Sequence, residues 1–487
     1  MAVEGEILEL GRPSAFRLEL PRHFTKGLGL IAALGLGWAV WNSAPAASLD
    51  GRGVHFLATL TVAVVLWVFA VWDEYVVSLL LLLSWVTLGI VPSEVALSGF
   101  SKSSWFFVIG ALGMAAGISH SGLLQRASLE ILRRIPKGSY KPLTFVVSGL
   151  GFLMTPALPT NKARASLIAP VSRAISDAIG FTPRSNGYAG LGLCSYIGTS
   201  QFSFVFLTGA SHCLFGWSLL PDSAKSSFGW FTWTLAALPA GVLTYICLLM
   251  AVNFLFPLDI HDRSKISSRN DSDKRASLGE PTAAEWFSLA VLISAIAMWV
   301  TTSFHGINEG WVALAALLLF LMTGILDKTR IKNIDWGFVL FFGVMSSFAE
   351  ISVRLKLDQW VMGIINPVLP SFSGNPMLFL TAIILLVYLV RVFLRREATL
   401  ALLMLSLTPW AQNMGIHPGV LLMTILVACE GWFLIYQDNS YLLTYYSVEQ
   451  KAFSHAQARK LMVVKLISCF LVIAVSVPYW KLLGFIR

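Results

Sequence analysis

The chain has 487 residues, of which 56% are hydrophobic and only 13% charged, and its mean hydropathy is +0.72. A soluble chain of that composition could not hide its apolar surface, so this is an integral membrane protein. The formal charge of +9 sits in short loops between apolar runs, which reads as membrane topology and not as a nucleic-acid surface.

The apolar runs are long and lack the period-two alternation of barrel strands, so the spans are helices and the fold is an all-α polytopic membrane protein. Cys194, Cys213, Cys247, Cys429 and Cys469 are scattered through those runs without CxxC or His-Cys spacing and read as small core residues. Neither HExxH nor GxSxG is present, which argues against a membrane-embedded enzyme.

Residues 1–26 form a cytoplasmic N-terminal segment without a clear cleavage site, its 15–24 portion weakly amphipathic. The first half, 27–256, opens with spans near 27–46, 53–72, 75–92 and 103–119. A surface helix follows at 123–134, where Arg126, Glu130, Arg133 and Arg134 alternate with apolar residues at helical spacing. Residues 142–180 hold two short apolar arms parted by Thr155-Pro-Ala-Leu-Pro-Thr-Asn-Lys-Ala-Arg164, and Pro156 and Pro159 interrupt helical bonding there. A re-entrant hairpin fits better than two full spans. The run 188–220 is too long for one span and carries Leu207-Thr-Gly-Ala-Ser-His-Cys213 inside it, a broken helix facing the hairpin tip.

After a span near 228–256, a polar stretch reads as a cytoplasmic linker, 257–284. The second half, 285–487, repeats the plan: spans near 285–303 and 309–326, a run at 336–349, an amphipathic stretch at 351–364, a hairpin at 376–413 broken at Arg395-Arg-Glu397, a broken helix at 417–446 and a last span at 461–484. Trp105-Phe-Phe-Val-Ile and Trp336-Gly-Phe-Val-Leu stand at matching places, with Met114 and Met345 nine residues further on. The basic loops all fall on one face if the halves are oppositely oriented, with the N-terminus inside and the C-terminus outside.

Inverted-topology repeats with a hairpin and an interrupted helix in each half aim helix ends at a midplane solute. The break residues are Thr160, Asn161, Lys162 and Arg164, then Arg395, Arg396 and Glu397; facing them are Thr208, Gly209, Ser211 and His212, then Gln437, Asp438 and Asn439. Cations outnumber anions in this set, which points to a pocket for a small anion with more than one negative charge. The competing reading is that Lys162 or the arginines pair with Glu397, Asp438 or Glu430 and only fix the tips. Glu397, Asp438 and His212 are the residues placed to carry coupling charge, a proton being one candidate coupling ion, with no other cofactor.

At these residues the chain resembles the divalent anion:sodium symporters, which include dicarboxylate and citrate carriers. Pro159-Thr-Asn-Lys-Ala-Arg164 is similar to the family's Ser-Asn-Thr-Ala-Arg hairpin motif, Leu207-Thr-Gly to its facing loop, and Tyr436-Gln437 to its second-half loop. The resemblance implies an elevator-type transporter of di- or tricarboxylates, a homodimer in the bilayer of a cell membrane, in bacteria the inner one. A sulfate or oxyanion carrier of the same fold is the alternative, and a channel a more distant one. Where the family has paired Ser-Asn-Thr motifs that build sodium sites, this chain has Thr160-Asn161-Lys162 and Arg395-Arg396-Glu397. Lys162 would then supply a tethered charge in place of sodium, with at most a residual sodium site near Asn161. The expectation is weakened sodium coupling or anion exchange.

Overall fold

A computed structural model describes residues 22–43, 49–69, 71–123, 126, 140–259, 262, 280–332, 334–357, 360, 375–392 and 394–487. The N-terminal segment up to residue 21, nearly all of the surface helix at 123–134, most of the linker, and residues 358, 359 and 361–364 of the amphipathic stretch at 351–364 lie outside the described residues. Within the linker region, Asp262 is buried and accepts from the Gly187 amide at 3.3 Å.

Among the described residues the elements are helical apart from one isolated bridge between Ile416 and Ile486. The first half contains α1 (Arg22–Trp41), α2 (Gly51–Val68), α3 (Glu74–Thr87), α4 (Ser103–Ser121), α5 (Tyr140–Leu153), α6 (Asn161–Ile179), α7 (Asn186–Ser200), α8 (Ser211–Ser218) and α9 (Trp230–Leu255). The second contains α10 (Ala283–Val300), α11 (Glu309–Met322), α12 (Trp336–Ser346), α13 (Pro376–Arg391), α14 (Arg396–Asn413), α15 (Pro418–Cys429), α16 (Asn439–Ser447) and α17 (His455–Leu482). Among the described residues six stretches are long and apolar enough to cross a membrane: Gly51–Val68, Ser103–Ser121, Trp230–Leu255, Ala283–Val300, Trp336–Arg354 and His455–Leu482.

Local chemistry sets the boundaries. Thr282 with Glu285 and Ser454 with Gln457 form capping boxes that start α10 and α17, while prolines open α13 and α15. Gly122 and Gly180, at φ 85° and 79°, end α4 and α6 in the left-handed conformation that glycine adopts without strain.

The halves embrace reciprocally. The second span of each half packs on the third of the other, α3 on α12 and α11 on α4, and the last helices α9 and α17 pack together. The duplicated Trp105 motif lies at one such crossing, its indole donating to the Val339 carbonyl at 3.2 Å. In each half a hairpin, α5–α6 or α13–α14, clasps the first piece of its own interrupted helix, α7 or α15. The returning arm then reaches the second piece belonging to the other half, α6 on α16 and α14 on α8. This exchange is what brings four chain breaks together.

Close approach inside the first clasp requires small residues. A Cβ on Gly198 of α7 would lie 2.1 Å from the Ser148 carbonyl oxygen of α5, and one on Gly151 would lie 2.5 Å from the Gly198 carbonyl carbon. The first arm of the second hairpin, α13, has 16 residues, about 24 Å at 1.5 Å per residue, short of a hydrocarbon core of about 30 Å.

Candidate functional site

Four helix starts meet at one cavity of about 590 Å³. One wall is built from Thr160, Asn161 and Lys162 at the start of α6, Ala210, Ser211 and His212 at α8, Arg395, Arg396 and Glu397 at α14, and Gln437, Asp438, Asn439 and Ser440 at α16. The opposite wall comes from the span region: Asp73, Glu74 and Tyr75 at the start of α3, and Asp335 with the first turns of α12.

Backbone geometry makes these starts accessible. The 3-10 turn Leu207–Gly209 precedes α8, and the 3-10 turn Ile435–Gln437 precedes α16. Thr160 caps α6 through the Ala163 amide at 3.4 Å, and Asp438 caps α16 through the Ser440 and Tyr441 amides at 2.8 and 3.1 Å. The caps of α8 and α14, Ala210 and Arg395, contribute no side-chain acceptor. Unfilled amide donors at a helix start, with the positive end of the helix dipole behind them, favour a negative charge.

Eleven of the fourteen break and facing residues named from sequence line this cavity; Thr208, Gly209 and Arg164 do not. Thr208 Oγ1 donates to the Pro156 carbonyl at 3.0 Å and accepts from the Trp230 indole at 3.2 Å, so it secures the hairpin tip. Gly209 presents its carbonyl to Arg164, and a Cβ there would fall 2.0 Å from the Ser203 oxygen. Thr208 and Gly209 are framework residues at positions where the sequence placed ligands.

A second correction concerns the tethered cation. Lys162 is exposed at the cavity and makes no hydrogen bond or ion pair among the described residues. The charge that fills the oxygen cage is Arg164, fully buried, donating to the carbonyls of Thr199 at 3.0 Å, Gly209 at 2.6 Å and Leu158, and to Asn161 Oδ1 at 2.6 Å. The guanidinium thus stitches the hairpin tip to both sides of the α7–α8 break. It also fixes the Asn161 amide, leaving the Nδ2 donors unpaired at the cavity wall. The second half has a counterpart in Arg391, which donates to the carbonyl of Gln437 at 3.1 Å, as Arg164 does to Gly209, the last residue of the matching 3-10 turn.

The charge balance also differs from the sequence expectation of excess cations. Lys162, Arg395 and Arg396 share the cavity with Asp73, Glu74, Asp335, Glu397 and Asp438. Asp73, Glu74 and Asp335 stand at helix starts next to apolar runs, where sequence alone cannot separate a cap from a cavity wall; Asp335 does cap α12 through the Phe338 amide at 2.9 Å. Arg395 is tied to Glu74 at 2.7 Å across the two walls. Arg396 contacts Glu430 at 3.3 Å and Asp438 at 3.6 Å, so the pairing considered for the arginines is present.

Behind Arg396 lies a buried polar network. Glu430, fully buried after α15, accepts from Ser203 and lies 3.0 Å from His212 Nε2. Asp438 accepts from the Tyr196 hydroxyl at 2.7 Å, which in turn accepts from Gln201 and the Trp432 indole. Among the described residues Arg396 Nε has no hydrogen-bond acceptor, and Nη2 is held only by its ion contacts with Glu430 and Asp438. An arginine held in this way beside a cavity can turn to engage an anion bidentately.

Comparison with known proteins agrees with this architecture. The sodium:sulfate symporter transmembrane region family matches residues 25–486. The inner membrane protein YbhI of Escherichia coli (strain K12) is 24% identical over 341 residues, 68% of this chain and 70% of that protein. The citrate/succinate antiporter of the same organism is 27% identical over 289 residues, 57% of this chain and 58% of that protein. Among solved structures, the YdaH transporter of Alcanivorax borkumensis superposes with a TM-score of 0.57 at 13% identity, covering 95% of this chain and 98% of that one, a likeness of fold. With nearly its whole length matched, the chain belongs to the sodium:sulfate symporter transmembrane region family, membrane transporters of small anions and not enzymes.

Proposed function

We propose that the protein is a secondary transporter of small di- or tricarboxylates that exchanges one anion for another without depending on sodium. The observation that carries this reading is the convergence of four helix starts on one cavity beside Arg396, Lys162 and the unpaired Asn161 amide. Those groups are donors suited to carboxylates, and a cavity of about 590 Å³ is far roomier than a single sulfate requires. The kinship with a citrate/succinate antiporter supports both the substrate class and the exchange mode.

The donor set argues against sodium as co-transported cargo. At the first tip the oxygens that could ligate it are engaged by Arg164, and at the second tip the helix starts with two arginines. Alternating access would come from movement of the two hairpins with their interrupted helices against α2–α4 and α10–α12, the cavity lying between these groups. In this reading the protein is a homodimer in a cell membrane, in bacteria the inner one, with its N-terminus in the cytoplasm and its C-terminus outside.

The test is counterflow in proteoliposomes preloaded with succinate, malate, 2-oxoglutarate, citrate or sulfate. Carboxylate preloading should accelerate labelled carboxylate entry equally in sodium and choline media. Entry that collapses in choline under a clamped voltage, or that responds only to sulfate, would defeat the proposal.

A further inference from the structure

His212 sits between a cation and an anion in a way that fixes its protonation state. Its Nε2 is 3.0 Å from Glu430 Oε1 and its Nδ1 is 3.4 Å from Arg396 Nη1. Arginine can only donate, so Nδ1 must accept and carries no proton; Nε2 holds the single proton and donates it to Glu430. While Arg396 is docked there, the imidazole is neutral. The buried cluster of Arg396, Glu430, Asp438 and His212 then has one positive and two negative charges. An arriving anion would add more negative charge beside these buried side chains.

Resting on the transport reading above, we propose that anion binding turns Arg396 toward the substrate and that His212 takes up a proton on Nδ1 in its place. The imidazolium keeps its Nε2–H bond to Glu430 and replaces the guanidinium as that carboxylate's partner. The proton comes from the cavity, which His212 lines. One proton is bound for each anion bound, and release of the anion returns Arg396 to Nδ1 and expels the proton.

The surroundings fit a switch of this kind. From α14 the charged groups acting on His212 are Arg396 and Glu397, and from the segment after α15 Glu430. Asp335 at the start of α12 and Lys162 at the start of α6 share the cavity with it, and Asp438 reaches it through Arg396. The packed α4 brings only its last-turn His120, and Arg164 is engaged by carbonyls. Ser203 donates to Glu430 and lies 3.4 Å from His212 Nε2, so the carboxylate stays hydrogen-bonded whichever cation faces it.

The experiment is calorimetry of succinate and citrate binding to the purified full chain, in buffers of different ionisation enthalpy and at several pH values. Wild type should bind about one proton per anion where His212 starts neutral, with affinity falling about tenfold per pH unit. His212→Gln should bind with no proton uptake and no such slope. Glu430→Gln, which removes the anion the imidazolium would face, should lose the uptake as well and serves if His212→Gln misfolds. A wild-type proton count of zero, or an unchanged count in the variants, would overturn the proposal. Failure of wild type to bind any of succinate, malate, 2-oxoglutarate, citrate or sulfate would instead contradict the transport reading.

Discussion

Arg164→Ala tests whether a built-in guanidinium holds the first hairpin tip. The side chain satisfies three carbonyls and the Asn161 oxygen in a site closed to solvent. Losing a charged donor costs each buried acceptor about 1–2 kcal/mol, or about 4–8 for four, partly offset because a cation no longer has to be buried. A net loss of about 3 kcal/mol is therefore expected at the tip, which corresponds to a roughly hundredfold larger open population. Leu158 is 1% exposed in the intact tip, so a Leu158→Cys probe in a cysteine-free background reports opening directly. Maleimide labelling should accelerate about a hundredfold in the Arg164→Ala background, and millimolar guanidinium should slow it again by refilling the cage. Labelling within twofold of the parent would refute the reasoning, because the tip would then be held by something other than these four bonds.

Other substitutions probe separate parts of the account. Arg395 and Glu74 are both partly exposed, so their contact is worth about 0.2–1 kcal/mol; alanine at each should change exchange rate non-additively by up to about fivefold, and strict additivity would show that they do not couple. Lys465 of α17 is fully buried, its Nζ without a hydrogen-bond acceptor among the described residues and 5.8 Å from the Phe204 ring. Lys465→Met should raise the melting temperature in detergent, by about 1–4 kcal/mol of stability, and a decrease would reveal an anionic partner. Gly198→Ala should cost about 1–3 kcal/mol in the same melt by forcing α7 off α5, and should lower exchange by displacing the Thr199 carbonyl from Arg164; a neutral result would mean the helices can part freely.

The hairpin tips could be read in the sequence because polar, proline-bounded segments interrupt apolar runs, and only a buried or cavity-lining site tolerates that. His212 and Asp438 were visible for the same reason, each lying beside a break. Glu430 was recognised only as a pairing partner: it follows the apolar run ending at Cys429 and looks like the interfacial end of a span. That it is buried depends on the fold bringing Ser203, His212 and Arg396 around it. Arg164 and Lys162 lie two residues apart, and choosing between them required helix phase. Once Thr160 is the cap, Lys162 is on the exposed side of the first turn and Arg164 points back into the break. The acidic wall from α3 and α12 was invisible because it reaches the cavity only through the reciprocal packing of the halves.

The most direct measurement is a cryo-EM map of the protein in nanodiscs at saturating citrate. The account predicts density between the starts of α6, α8 and α14, within hydrogen-bond reach of Asn161 Nδ2, with the Arg396 guanidinium turned from His212 toward it. An unoccupied cavity at saturation, or citrate bound elsewhere with Arg396 still on His212, would contradict it.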